Sequence, residues 1–226
     1  MTDRLARAIT WAIALQGTEG RKGSHLPYLA HTLGVVGLVL AHGGDETQAV
    51  AAALHDVVED HGGLAAADRI RAEFGDEVAD MVLALSDATP EKGEEKRSWW
   101  PRKADYITHL ESTSPRIALV SAADKIDNIR SIRADLRLVH DAVWSRFNAE
   151  SGRDGQLWYY GKLTKVLGER LRQSEGAPGG DTSDRYEQMA DLLQAEFCAL
   201  LEEVAETSIS VKKLKERIAE CEAARL

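Results

Sequence analysis

Along most of this chain apolar residues recur three and four positions apart, and no stretch holds the strict period of two that a half-buried strand requires. That spacing predicts helices over 3–16, 28–42, 46–60, 65–74, 76–86, 102–111, 116–133, 135–150 and 156–173. An all-α bundle is the architecture that follows. Asp45 is placed to cap the 46–60 helix and Gly62-Gly63 to stop it, while HLPYL is the one short stretch with an extended look. There is no internal repeat.

Two segments interrupt the pattern. Residues 86–103, SDATPEKGEEKRSWWPRK, read as a charged loop, and 173–184, QSEGAPGGDTSD, as a flexible linker. The predicted boundary falls near residue 174, giving a domain over 1–174 and a linker with a C-terminal helical appendage over 175–226. In that appendage Met189, Leu193, Phe197, Leu200 and Val204 form one stripe, and Val211, Leu214, Ile218 and Cys221 form a second. The two stripes suggest a hairpin that packs on the core or on another copy, which would make the chain a homo-oligomer.

Composition narrows the function. With 226 residues, 44% of them hydrophobic, the chain can bury a real core, and no apolar run is long enough to span a membrane. The N-terminal stretch reads as an amphipathic helix with Arg7 inside it, not as a secretion signal. Two cysteines, Cys198 and Cys221, give neither a disulfide framework nor zinc spacing, so a reducing cytoplasm is the expected setting. A formal charge of −9 argues against nucleic acid and against anionic membranes as partners. It leaves room for a small phosphorylated substrate, for which a few local cations or a metal suffice.

The chemistry concentrates in AAALHDVVED, residues 51–60. On a continuous helix Leu54, Val57 and Val58 share one face, and His55 and Glu59 lie on the opposite arc beside Asp56 and Asp60. A solvated helix face accounts for such a pattern too. Adjacent His and Asp are nonetheless odd choices there, because Lys, Glu and Gln are better helix formers. Upstream, His31 sits among apolar and small residues, with Gly34 and Gly37 allowing a close approach. Downstream, Asp124, Asn128 and Ser131 share one face of an apolar helix. A carboxylate such as Asp124 in that setting needs a partner or a metal. Two imidazoles and two carboxylates suit a divalent cation, Mn²⁺ ahead of Zn²⁺, with Fe²⁺ as a further alternative. Spacing alone does not bring His31, His55, Asp56 and Asp124 together.

A lone His, then HD, then a distant Asp resembles the HD-domain metal-dependent phosphohydrolases. RKGSHLPYLAH, AAALHDVVED, FGDEVADMVLALSD and LVSAADKIDNIRSI resemble more closely the hydrolase half of RelA/SpoT-type alarmone enzymes and their small stand-alone metazoan homologues. The resemblance runs from about residue 5 to residue 170. It implies His31, His55, Asp56 and Asp124 as metal ligands, with Glu59 and Asp60 acting on the attacking water. It also implies Arg21, Lys22, Tyr28, Asn128 and Ser131 as nucleotide contacts. The implied reaction removes pyrophosphate from the 3′ position of ppGpp or pppGpp, and no synthetase half follows. Thr32 stands where the family has proline after the histidine, and RKGSHLPY, residues 21–28, differs in its central residues from the family's usual loop. Another nucleotide or NADPH as substrate, or a non-catalytic nucleotide sensor on the same fold, are the alternatives. Trp99-Trp100 and Trp158-Tyr159-Tyr160 read as packing, and His61 as a neighbour of the acidic pair.

Overall fold

The computed structural model describes residues 1–17, 19–21, 26–89, 96–147, 150–173 and 181–223, the side chains of 181–182 and 208–223 excepted. Lys22 and His25 lie outside the described residues, as do the side chains of the second C-terminal stripe. Every regular element among the described residues is helical, and a single isolated bridge, Gly20 to Pro27, is the only β pairing.

The helices are α1 (Asp3–Gln16), α2 (Tyr28–Ala41), α3 (Glu46–Leu54), α4 (Val57–Asp60), α5 (Gly63–Phe74), α6 (Asp76–Leu85) and α7 (Trp99–Glu111). They continue with α8 (Pro115–Val139), a 3-10 turn (His140–Arg146), α9 (Gly152–Arg172) and α10 (Asp181–Ala223). Local chemistry sets their starts. Thr2 accepts the Arg4 N–H ahead of α1, and Asp45 forms a reciprocal capping box with Gln48 ahead of α3. Ser114 caps α8, where Pro115 supplies the preset first-turn φ.

At the centre lies α3, whose residues Gln48 to Leu54 are all buried, with α1, α2, α6 and α8 packed around it. Four consecutive or near-consecutive alanines keep its girth small enough for neighbours on every side. It is therefore a buried rod, not the amphipathic helix expected over 46–60. It also stops at Leu54. The His55 ring donates Nδ1–H to the Ala52 carbonyl at 2.8 Å, an oxygen that a continuing helix would give to the Asp56 N–H. The chain bends there and restarts as the single turn α4, so His55 and Asp56 belong to the corner between two helices.

Other boundaries moved for identifiable reasons. Helix α7 begins at Trp99, three residues before expectation. Pro101 falls in its first turn, where no intrahelical N–H is required, and the Glu150 carboxylate accepts the Trp99 N–H at 2.8 Å and the Ser98 hydroxyl at 2.9 Å. The break expected between 116–133 and 135–150 is absent: one long α8 runs on to Val139, ends where His140 takes φ 51°, and is followed by the 3-10 turn in place of the rest of the second expected helix. Beyond residue 180 the two stripes lie on one continuous helix, not on a hairpin. Its residues Tyr186, Met189, Ala190, Leu193 and Leu200 are buried against α8 and α9 and join the common core.

Candidate metal centre and its cleft

Three elements meet at the corner after α3. His31 comes from the first turn of α2, His55 and Asp56 from the corner itself, and Asp124 from the middle of α8. All but Asp56 are buried, His31 to 2% exposure. The His31 Nε2 lies 3.2 Å from His55 Nε2, 3.4 Å from Asp124 Oδ1 and 3.7 Å from Asp56 Oδ2. From His55 Nε2 it is 3.0 Å to Asp56 Oδ2 and 3.7 Å to Asp124 Oδ1. Ligands about 2.1 Å from one cation stand ~3.0 Å apart in octahedral and ~3.4 Å apart in tetrahedral arrangement, so these separations suit a shared ion.

The hydrogen bonds behind the rings test that fit. A carbonyl can only accept, so His55 Nδ1, on Ala52 O, carries the proton; His31 Nδ1 faces the Asp127 carboxylate at 2.7 Å and carries its proton too. In neutral rings both Nε2 atoms then present lone pairs to each other across 3.2 Å, beside two carboxylates. Such a set needs a cation between its members. Burial opposes the charged form of His31, but the carboxylates of Asp124, Asp127 and Asp56 outweigh it and hold the ring up to about 9. His55 is likewise raised well above its ordinary value, by Asp56 and Asp124 against burial. Burial would raise Asp56, yet His55 and His31 hold it well below the usual carboxylate range. Two neutral imidazoles and two carboxylates balance one divalent cation, and the donor set fits it.

The surrounding groups hold these donors still. Tyr28 donates its hydroxyl to Asp56, and Lys125 and the Asn128 amide both donate to Asp124. Arg21, beside the Gly20–Pro27 bridge, reaches Asp127 at 2.7 Å and the Asn128 oxygen at 2.6 Å. Ser131 lines the same cleft one turn further along α8. One helical turn past the corner, Glu59 and Asp60 share the ammonium of Lys96 at 2.8 and 2.9 Å. Burial and the nearby Asp87 carboxylate push Glu59 above its ordinary value, against Lys103 and Lys96.

Most of these groups line one cleft of about 550 Å³, with His55 and Asp127 set behind its wall. Among the described residues, seven Lys or Arg side chains line it against four carboxylates. Several of the cations are held from behind. Arg102 and Lys103 both pair with Asp87, itself 3% exposed, and Arg146 pairs with Asp135. Trp99, Phe147, Tyr159 and Tyr160 add aromatic walls, so three members of the aromatic groups read as packing also face the cleft.

Every expected site residue that is described stands at this cleft or in it, and Lys22 alone lies outside the described residues. Sequence reasoning passed over Asp127, Asp87, Lys96, Arg102 and Lys103. For Asp127 a signal existed: it is a second carboxylate in the same apolar helix, one turn past Asp124. His61 does not reach the centre, and its Nε2 lies 3.7 Å from Glu19.

A family model described as HD domain matches residues 8–155. Over 138 residues, 58% of the chain, there is 33% identity to a probable guanosine-3′,5′-bis(diphosphate) 3′-pyrophosphohydrolase of Synechocystis sp., of which the chain spans 17%. Over 111 residues, 48% of the chain, it is 32% identical to the guanosine-3′,5′-bis(diphosphate) 3′-pyrophosphohydrolase MESH1 of Drosophila melanogaster, spanning 58% of that protein. The solved structure of a metazoan ortholog of SpoT that hydrolyses ppGpp superposes with a TM-score of 0.58 at 22% identity, over 84% of this chain and 94% of that one. The structure of lmo0812 from Listeria monocytogenes EGD-e gives 0.57 at 32% identity, over 76% and 98%.

Proposed function

Because the chain belongs to the HD-domain family, whose model covers most of its length, we propose that it is a Mn²⁺-dependent (p)ppGpp 3′-pyrophosphohydrolase. The observation that carries this reading is the convergence of His31, His55 and Asp56 into one group able to hold an ion, with Asp124 Oδ1 3.4 and 3.7 Å from the two imidazoles, next to an acidic pair in a cleft lined by cations. The names of the Synechocystis and Drosophila relatives supply the substrate.

His31, His55, Asp56 and Asp124 would hold the ion, and the two carboxylates favour Mn²⁺ over Zn²⁺. Bound there, a divalent cation lowers the pKa of water and offsets phosphoryl charge. Glu59 and Asp60 take the proton of the attacking water, a task helped by the Glu59 carboxyl being held above its ordinary value by burial and Asp87. Lys96 holds the pair oriented. Arg102 and Lys103, fixed by Asp87, meet the phosphate oxygens. Arg21, Lys22, Tyr28, Asn128 and Ser131 contact the nucleoside and its near phosphates, with α8 carrying them along the cleft. The water oxygen ends on the departing pyrophosphate, the bond from phosphorus to the 3′ oxygen breaks, and that oxygen regains a proton.

Residues 1–174 form the unit that carries this chemistry, and α10 offers a surface for a second copy. A cytoplasmic setting agrees with the exposed thiol of Cys198. Incubating the Mn²⁺-loaded chain with a nucleotide panel and weighing the products tests the reaction. ppGpp should give GDP and pyrophosphate. Orthophosphate release alone, or preference for NADPH, would replace the substrate; tight nucleotide binding without turnover would replace the activity.

A further inference from the structure

One oxygen of Asp127 serves two donors. Its Oδ2 lies 2.7 Å from His31 Nδ1 and 2.7 Å from Arg21 Nη1. The carboxylate reaches this point only because position 34, one turn past His31 on α2, has no side chain. A Cβ built on Gly34 would stand 2.5 Å from Asp127 Oδ1 and 3.3 Å from its carboxyl carbon. The notch, the imidazole and the guanidinium together fix the carboxylate between α2 and α8.

We propose that Asp127 is a positioning residue whose single oxygen is divided between the metal ligand His31 and the substrate-facing Arg21, so that cation binding and the release of Arg21 are linked. A carboxylate on the far nitrogen of a metal-binding histidine fixes its tautomer and strengthens the near nitrogen as a donor. Here a guanidinium draws on the same oxygen and weakens that support. When Arg21 turns to an anion in the cleft, Asp127 serves His31 alone, and the cation is held more tightly. The linkage is reciprocal, so a bound cation loosens Arg21 for the anion. The cation half stands on the donor geometry, and the anion half rests on the nucleotide reading above.

Calorimetric titration of Mn²⁺ into the full, chelator-stripped chain tests it without any nucleotide. Asp127→Asn, which is nearly isosteric, and Gly34→Ala, which displaces the carboxylate without changing a charge, should each weaken Mn²⁺ by about 10- to 100-fold. Arg21→Ala should do the opposite and tighten it severalfold. That gain should vanish in Arg21→Ala combined with Asp127→Asn, which separates the link from general electrostatics. Wild-type affinity in Asp127→Asn, or an Arg21→Ala effect that is equal in both backgrounds, would overturn the proposal. If Gly34→Ala does not fold by circular dichroism, the Asp127 and Arg21 variants decide the matter. Failure of nucleotide hydrolysis would count against the proposed reaction and leave this result standing.

Discussion

Glu59 occupies an unusual position for a helix carboxylate: it is close to Asp87 yet shares the Lys96 ammonium with Asp60. Glu59→Gln keeps the shape and removes the base. The expected outcome is a fall in kcat of about 100-fold or more with Mn²⁺ content unchanged, read by steady-state kinetics and elemental analysis on one preparation. An unchanged kcat would return the pair to the role of a solvated surface. At this scale the residues expected as metal donors, which the structure brings to one corner, stood out in the sequence because few residue types bind cations, and His55-Asp56 is an awkward choice for mere solvation. Asp127 was not. A carboxylate one turn past Asp124 becomes distinctive only once Gly34 on α2 is seen to leave space for it, and that pairing is tertiary.

Helix existence was read correctly from periodicity, and helix limits were set by contacts that periodicity does not carry. The break after Leu54 depends on one imidazole taking one carbonyl, and the early start of α7 depends on Glu150, which lies far along the chain. The last helix shows the same division. Its first stripe was visible, whereas its partner surface on α8 and α9 was not. Arg133 of α8 bonds Glu203 at 2.8 Å, and Leu193 is fully buried. Leu193→Ala should therefore destabilise the whole fold by about 2–5 kcal/mol, measured by urea unfolding, with Mn²⁺ stoichiometry retained. A silent substitution would mean that α10 rests on the bundle without supporting it.

For the molecule as a whole, acid stability follows from the charges behind the cleft. Burial would raise the Asp87 carboxyl, but Lys103 and Arg102 outweigh it and hold it below its ordinary value of 3.8. A group depressed on folding adds stability above its unfolded pKa and loses it as pH falls through the folded one. Thermal melts should show the wild type weakening below pH 3.8, and Asp87→Asn should be weaker at neutral pH but flatter in acid. The same arrangement has a consequence for traffic in solution. A chain of charge −9 that, among its described residues, turns seven cations against four carboxylates toward one mouth attracts anions there more than its overall charge would. A polymer must lay many phosphates along the rest of the exterior to place one inside. A short anion brings all of its charge to the mouth at once, so this distribution of charge favours short anions over long ones.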